Sequence, residues 1–133
     1  MFSEKYKVTI GDINYGGHMG NDRALLLFQQ GRISWLNSMG YSELSIGEEV
    51  GIIQREAHVK YHKEAFLNDD LTINITEIIL KRSNFILKYE VRNEKDEVII
   101  TGEVLLVAYN YKKKKIVAIP KDFKEKVERN INS

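Results

Sequence analysis

The stretch from Val8 to Leu36 reads V-T-I-G-D-I-N-Y-G-G-H-M-G-N-D-R-A-L-L-L-F-Q-Q-G-R-I-S-W-L and divides into strand end, loop and helix. Tyr6, Val8 and Ile10 alternate with Lys5, Lys7 and Thr9, the period of a half-buried strand that stops at Gly11. From Gly11 to Asn21 the chain is too polar and too rich in glycine to be core. Asn21 is the expected N-cap of a helix, with Asp22 in the first turn where the dipole favours an acid. From Asp22 to about Met39 the pattern is helical: Ala24, Leu25, Phe28, Trp35, Leu36 and Met39 fall within about 120° of one another. Leu26, Leu27 and Ile33 widen that stripe almost around the cylinder, so the helix is expected to be buried on more than one side. Gly40 suits the position just past its C-terminus.

Working outward, Tyr41 to Val50 reads as a loop or a short extra helical turn, and the rest is strand-like. Ile53 to Lys63 carries Ala57, Val59 and Tyr61 in alternation. Leu71, Ile73 and Ile75 alternate until the phase slips at Glu77 to Ile78 and Leu80, which predicts a bulge. Phe85 to Val91 alternates cleanly, and Val98 to Tyr109 is apolar on both faces from Val104 onward, as a central strand would be. Turns are expected at Arg82 to Asn84, Asn93 to Asp96 and Tyr111 to Lys115, with a short strand at Ile116 to Ile119. Pro120, the single proline, opens a terminal helix with Phe123, Val127 and Ile131 on one side. No βαβ alternation appears. The fold class is therefore α+β, one domain over residues 1–133, with a long helix against one antiparallel sheet. The uncovered sheet edge or face argues for a dimer.

Composition narrows the chemistry. Lys plus Arg number 20 and Asp plus Glu 19, so no global field is available to hold nucleic acid or an anionic membrane, and neither is an expected partner. The absence of cysteine excludes disulfides, thiolate nucleophiles and cysteine-ligated metal. Met1 to Lys5 carries an acid and no apolar run, so no signal peptide is expected. Apolar runs such as Ala24 to Phe28 are far too short for a span, and a cytoplasmic location follows as an expectation.

The loop holds parts for acyl transfer without a serine or cysteine nucleophile. Free N–H groups at the helix start suit an oxyanion, and Gly16, Gly17 and Gly20 let a ligand approach the backbone. His18 adds a side chain of the type that moves protons near neutral pH. Such loops also occur as plain structural turns.

On these residues, Val8 to Leu36 resembles the opening of hotdog-fold acyl-CoA thioesterases, most of all the 4-hydroxybenzoyl-CoA thioesterase-like branch. Its pattern runs G-D-x-D-x-x-G-H-V-x-N, then a helix ending E-x-A-R-x-x-W-L. Val59-Lys60-Tyr61-His62-Lys63-Glu64-Ala65, followed by Asn68-Asp69-Asp70-Leu71, is similar to the family's Y-x-x-P-A-x-x-G-D-x-L segment. The resemblance implies a long helix wrapped by a five- or six-stranded antiparallel sheet. It also implies a homodimer or a dimer of dimers with active sites at the subunit interface. The substrate would be an acyl-CoA, with coenzyme A entering as part of substrate or product and no bound cofactor or metal.

Two departures stand out. The family's usual catalytic Asp falls on Asn14, and the helix Glu that some members use falls on Gln29. An amide orients water or a carbonyl but cannot act as base or nucleophile. The remaining nearby acids are Asp12 and Asp22. Asp22 is expected to orient or deprotonate the attacking water, with Asn14 and His18 positioning thioester and water. Gly17, Asn21, Gln29 and Asp12 form the candidate oxyanion- and substrate-binding set, Asp12 standing where the family's first Asp is mainly structural. Lys81, Arg82 and Ser83 are candidates to meet the nucleotide moiety of CoA. Lys112 to Lys115 reads as a solvated turn with phosphate contact as the alternative. His58 and His62 alternate as strand residues about 13 Å apart and cannot share a metal. Arg32 lies in the apolar face and must pair or reach solvent. Beside the hydrolase stand two other readings: a non-catalytic acyl-thioester binder that lost both acids, and a thioesterase acting on acyl carrier protein.

Overall fold

In the computed structural model, which describes residues 2–131, a helix lies along one face of a six-stranded antiparallel sheet. The elements are β1 (Phe2–Lys7), α1 (Ala24–Ser38), β2 (Val50–Tyr61), β3 (Asp70–Leu80), β4 (Asn84–Arg92), β5 (Val98–Asn110), β6 (Lys115–Ile116) and α2 (Lys121–Ile131). The strand order is β1-β3-β4-β5-β2, and β6 adds to β5 at Tyr109 and Asn110. β5 is interior, paired with β4 on one side and β2 on the other, as its apolar pattern predicts. The phase slip at Glu77 is a true bulge, because the β3–β4 register shifts between Ile75 and Glu77. That shift keeps Ile78 and Leu80 packed against the core after Leu71, Ile73 and Ile75 have faced it.

The core forms where α1 meets the concave face of the sheet. Phe28 stacks on Tyr89 of β4 with ring centroids 4.3 Å apart. One end is closed by an aromatic cluster: the Phe123 ring of α2 lies 6.3 Å from Trp35, 5.8 Å from Phe85 and 5.1 Å from Tyr41. Val127 is fully buried beside it, whereas the side chain of Ile131, the third member of that expected stripe, lies outside the described residues. Among the described residues no helix is long and apolar enough to cross a membrane.

Three local expectations are corrected. β1 ends at Lys7, and Ile10 is 75% exposed in a 3-10 turn over Ile10–Asp12. The cause is Asp12, whose carboxylate accepts the Thr9 amide and folds the chain over before alternation can continue. Asn21 is not an N-cap: Gly20 takes the extended cap conformation, Asn21–Arg23 form one 3-10 turn, and α1 continues from Ala24 without a side-chain cap. The Gly20 amide is already held by the Asp12 carbonyl at 2.9 Å, so the switch to helical backbone comes one residue early. The third is β6, Lys115–Ile116, which overlaps the expected strand over Ile116 to Ile119 only at Ile116. Of the two readings of the segment after Gly40 the loop holds, running up to β2, burying Ile46 and pinched by a Ser42–Ser45 bridge. The chain leaves α1 at Gly40 with φ +86°, as its composition predicts.

α1 is also less buried than its sequence suggests. Ala24, Leu27, Phe28, Gly31, Arg32, Trp35 and Leu36 are enclosed. Leu25, Leu26 and Ile33 stay between 38% and 49% exposed, so a second apolar strip of the helix has no cover from its own chain.

Candidate active site

The glycine loop is a small hairpin fastened on both sides. Asn14 N donates to the His18 carbonyl at 3.0 Å and Gly17 N to the Asn14 carbonyl at 3.1 Å, with Gly17 at φ +80° in the turn. The Asn14 side-chain oxygen accepts the Gly16 amide at 2.9 Å, an Asx turn. The far side of the hairpin is stitched to the segment after β2: Met19 N donates to the Ala65 carbonyl at 2.7 Å, and His18 bridges Phe66. That segment is itself closed by the Asp69 carboxylate, which accepts the Phe66 amide at 2.8 Å. Tyr61, at the end of β2, donates its hydroxyl to the Asn21 carbonyl and so ties the sheet to the start of α1.

These ties enclose a cavity of about 280 Å³ lined by His18, Gly20 and Asn21 on one side and by Tyr61, Glu64 and Ile100 on the other. His18 is about one-third exposed; its Nδ1 lies 3.4 Å from the Met19 carbonyl and its Nε2 lies 3.7 Å from Glu64 Oε1. Of the sequence candidates, His18 and Asn21 therefore share one wall. Asn14 stands just outside, near His18, since a Cβ on Gly16 would lie 2.9 Å from His18 Nε2 and 3.4 Å from Asn14 Oδ1. Asp22 is exposed and curls back over Gly20, its Oδ1 only 2.5 Å from where a Cβ there would sit.

Asp12 and Gln29 sit in different settings. The buried Asp12 accepts Tyr6 Oη at 2.7 Å, the Thr9 amide at 2.9 Å and the Thr9 hydroxyl at 3.1 Å, all on Oδ2. Burial alone would raise its pKa, but these bonds and the Arg23 charge outweigh it and hold the carboxyl below the usual carboxylate range. Asp12 is thus placed as a fastener of the loop. Asp12→Asn is expected to cost about 1–3 kcal/mol at pH 7, the scale of hydrogen bonds to a charged group. Because the folded pKa is depressed, Asp12 contributes above its unfolded value of about 3.9, and the contribution fades as pH falls through the lower folded value. Urea melts at neutral and strongly acid pH check this: a parent–variant difference that does not shrink in acid would contradict it.

Gln29 reaches Glu43, donating from Nε2 to Oε1 at 2.9 Å, while Arg32 Nε donates to Oε2 at 2.7 Å. A carboxylate at position 29 would face Glu43 with like charge. The amide supplies a donor instead, which explains that departure from the family pattern. Arg32 is 3% exposed and also donates to Tyr89 Oη at 3.2 Å. Burial pushes the Tyr89 phenol up to about 12, against the pull of Arg32.

Lys81, Arg82 and Ser83 form the β3–β4 turn, where Ser83 accepts the Ala108 amide. Ile100 of the cavity and Val107 beside that turn are seven residues apart on β5, about 23 Å along a strand, so one chain does not bring these residues to His18. The Lys112–Lys115 turn lies at that same far end of β5. His62 lines the His18 cavity and pairs with Thr101 Oγ1 at 2.9 Å, while His58 lies within β2 opposite Glu103. Among the described residues no group of three or more His, Asp or Glu side chains is placed to hold a metal ion.

Glu64 is the residue that sequence reading missed. Its signal was present: in Tyr61-His62-Lys63-Glu64-Ala65 it occupies the place that the Y-x-x-P-A pattern gives to proline. Only the stitching of two distant loops puts it beside His18.

The model of the thioesterase-like superfamily matches residues 8–127. No curated protein matches the chain in sequence. Solved structures with a similar fold include a 1,4-dihydroxy-2-naphthoyl-CoA thioesterase from Synechocystis, 20% identical, covering 92% of each chain with a TM-score of 0.83. A gentisyl-coenzyme A thioesterase is 22% identical over 92% of this chain and 98% of its own, with a TM-score of 0.80. A Staphylococcus aureus protein solved in complex with CoA is 21% identical over 96% of this chain and 82% of its own, with a TM-score of 0.83.

Proposed function

The chain belongs to the thioesterase-like superfamily, and from that premise we propose that it hydrolyses an acyl-CoA thioester to the free acid and CoA. Water attacks the thioester carbonyl beside His18, and the resulting oxyanion is received by backbone N–H groups at the start of α1. The observation that carries this reading is the shared cavity of His18, Gly20 and Asn21 against a helix start without a side-chain cap. Donors left without intrahelical partners at such a place suit developing negative charge. The CoA-bound and CoA-thioesterase structures that share the fold support the substrate class.

Homo-oligomerisation is part of this proposal. β2 spans Val50–Tyr61 and is an edge of the sheet, and the uncovered Leu25, Leu26 and Ile33 add an apolar strip on α1. The part of that edge beyond Ile52, whose amide is already held by the Glu43 carbonyl, together with an apolar helix strip suits a second copy. Because one chain does not bring the Lys81–Ser83 turn to His18, its contact with the nucleotide moiety of CoA is proposed only across copies, in a dimer or a dimer of dimers. With acyl-CoA as substrate, we place the protein in the cytoplasm.

The amides at Asn14 and Gln29 favour a second reading, a non-catalytic acyl-thioester binder. A thiol-release assay across short, long and aromatic acyl-CoAs, with acyl carrier protein thioesters alongside, separates the readings. Release from acyl-CoA above background is expected; tight binding without release would favour the binder, and release from the carrier protein alone would move the substrate. His18→Ala is expected to lower kcat/KM by about 10²-fold, the usual scale for a group engaged in proton transfer or water positioning. Undiminished turnover in that variant would remove His18 from the site.

A further inference from the structure

We propose that Glu64 is the general base of this hydrolysis, taking over from a loop after β2 the role left open by the amides at Asn14 and Gln29. The proposal rests on the thioesterase reading above.

The acids near the site differ in what already occupies them. Asp12 holds three donors on one oxygen, and Glu43 has Gln29 on one oxygen and Arg32 on the other. Glu97 is held by Lys63 and Asn93. Asp22 lies over Gly20, and it is not part of the cavity wall. Glu64 is in that wall, and among the described residues its only polar partner is His18.

The 3.7 Å between His18 Nε2 and Glu64 Oε1 is too long for a direct hydrogen bond and suits a shared water. In the tautomer with its proton on Nδ1, directed at the Met19 carbonyl, His18 presents the Nε2 lone pair to the cavity. A water between the two groups then donates one hydrogen to Nε2 and the other to Glu64. Its oxygen lone pair is left to face a carbonyl lodged against Gly20 and Asn21. The backbone holding both groups is fixed by the Met19–Ala65 hydrogen bond and the His18–Phe66 bridge, while the Glu64 side chain, 62% exposed, adjusts freely to the water.

The step balances with water as the only co-reactant. Glu64 takes a proton as the O–H bond breaks and the water oxygen bonds to the carbonyl carbon, whose π electrons move to the oxyanion. When that intermediate collapses, the carbonyl re-forms, the C–S bond breaks, and the departing sulfur takes the proton from Glu64. The products are the acid and the CoA thiol.

Steady-state kinetics on the full chain test this, with Glu64→Gln and Glu64→Asp compared with the parent on its best acyl-CoA and folding verified by urea midpoint. Glu64→Gln is expected to lower kcat by about 10²-fold or more with KM changed less than about threefold, the pattern of a group acting only in the transition state. Glu64→Asp, which keeps the carboxylate but shortens its reach, is expected to recover about a tenth of the parent kcat. A Glu64→Gln loss below about tenfold, or a loss confined to KM, overturns the assignment while hydrolysis itself stands. A parent enzyme that releases no thiol from any substrate overturns the thioesterase reading and this one with it.

Discussion

Arg32→Met is expected to destabilise the protein by about 3 kcal/mol, the lower end of the range for removing one partner of a buried ion pair. Arg32 is 3% exposed and its guanidinium holds Glu43 Oε2 at 2.7 Å and Tyr89 Oη at 3.2 Å. Methionine fills much of the volume, so the loss comes from electrostatics rather than from a cavity. Glu43 would keep only the Gln29 amide, and the hydroxyl of the buried Tyr89 would lose its donor. The Glu43 side chain retains 24% exposure, which lets water screen part of the stranded charge and keeps the cost from the upper end. Urea unfolding gives the number. The double variant Arg32→Met with Glu43→Leu is expected to recover most of the loss, because removing both charges removes the desolvation cost along with the attraction. A single variant within about 1 kcal/mol of the parent would mean that the pair contributes no more than a surface bridge.

Gly102→Ala is expected to cost about as much, on the order of 3 kcal/mol, by overpacking. Gly102 lies on β5 opposite Val59 of β2 and Tyr89 of β4. A Cβ there would come within 2.6 Å of the His58 carbonyl oxygen and 2.6 Å of the Phe28 ring. Neither neighbour yields easily. The carbonyl belongs to a paired strand, and the Phe28 ring is clamped against Tyr89 at an interplanar angle of 10°. Accommodating one methyl would push α1 off the sheet or open the β2–β5 ladder. Thermal or urea unfolding checks the cost, and Phe28→Leu in the same background is expected to relieve part of it. A neutral Gly102→Ala would show that the helix–sheet spacing is softer than the geometry implies.

The legibility of this protein from its residues follows the range of the forces involved. The period of Ala24 to Leu36, the phase slip at Glu77 and the Pro120 start of α2 are local patterns, and each element appears as expected. The local pattern failed where a hydrogen bond accepted by Asp12 overrode it. Alternation carried β1 on to Ile10, yet the Asp12 carboxylate turned the chain at Thr9. Asn21 had the right composition for a cap, yet the Gly20 amide was already taken by Asp12. Likewise, the apolar girth of α1 announced burial without saying that Leu25, Leu26 and Ile33 would be left open within one chain.

By itself the sequence determined the α+β class, the order of elements and the glycine loop before a largely apolar helix, and it placed amides at Asn14 and Gln29, where the family pattern it resembles has acids. It did so because periodicity and residue chemistry are properties of neighbours along the chain. Only the tertiary structure decided which acid shares a cavity with His18 and what the Gln29 amide meets. Glu43 meets Gln29 from a loop fourteen residues on, and Glu64 meets His18 because the Met19–Ala65 bond sews two segments together. Contacts of that kind depend on tertiary packing, which brings together groups whose separation along the chain carries no signal of their nearness.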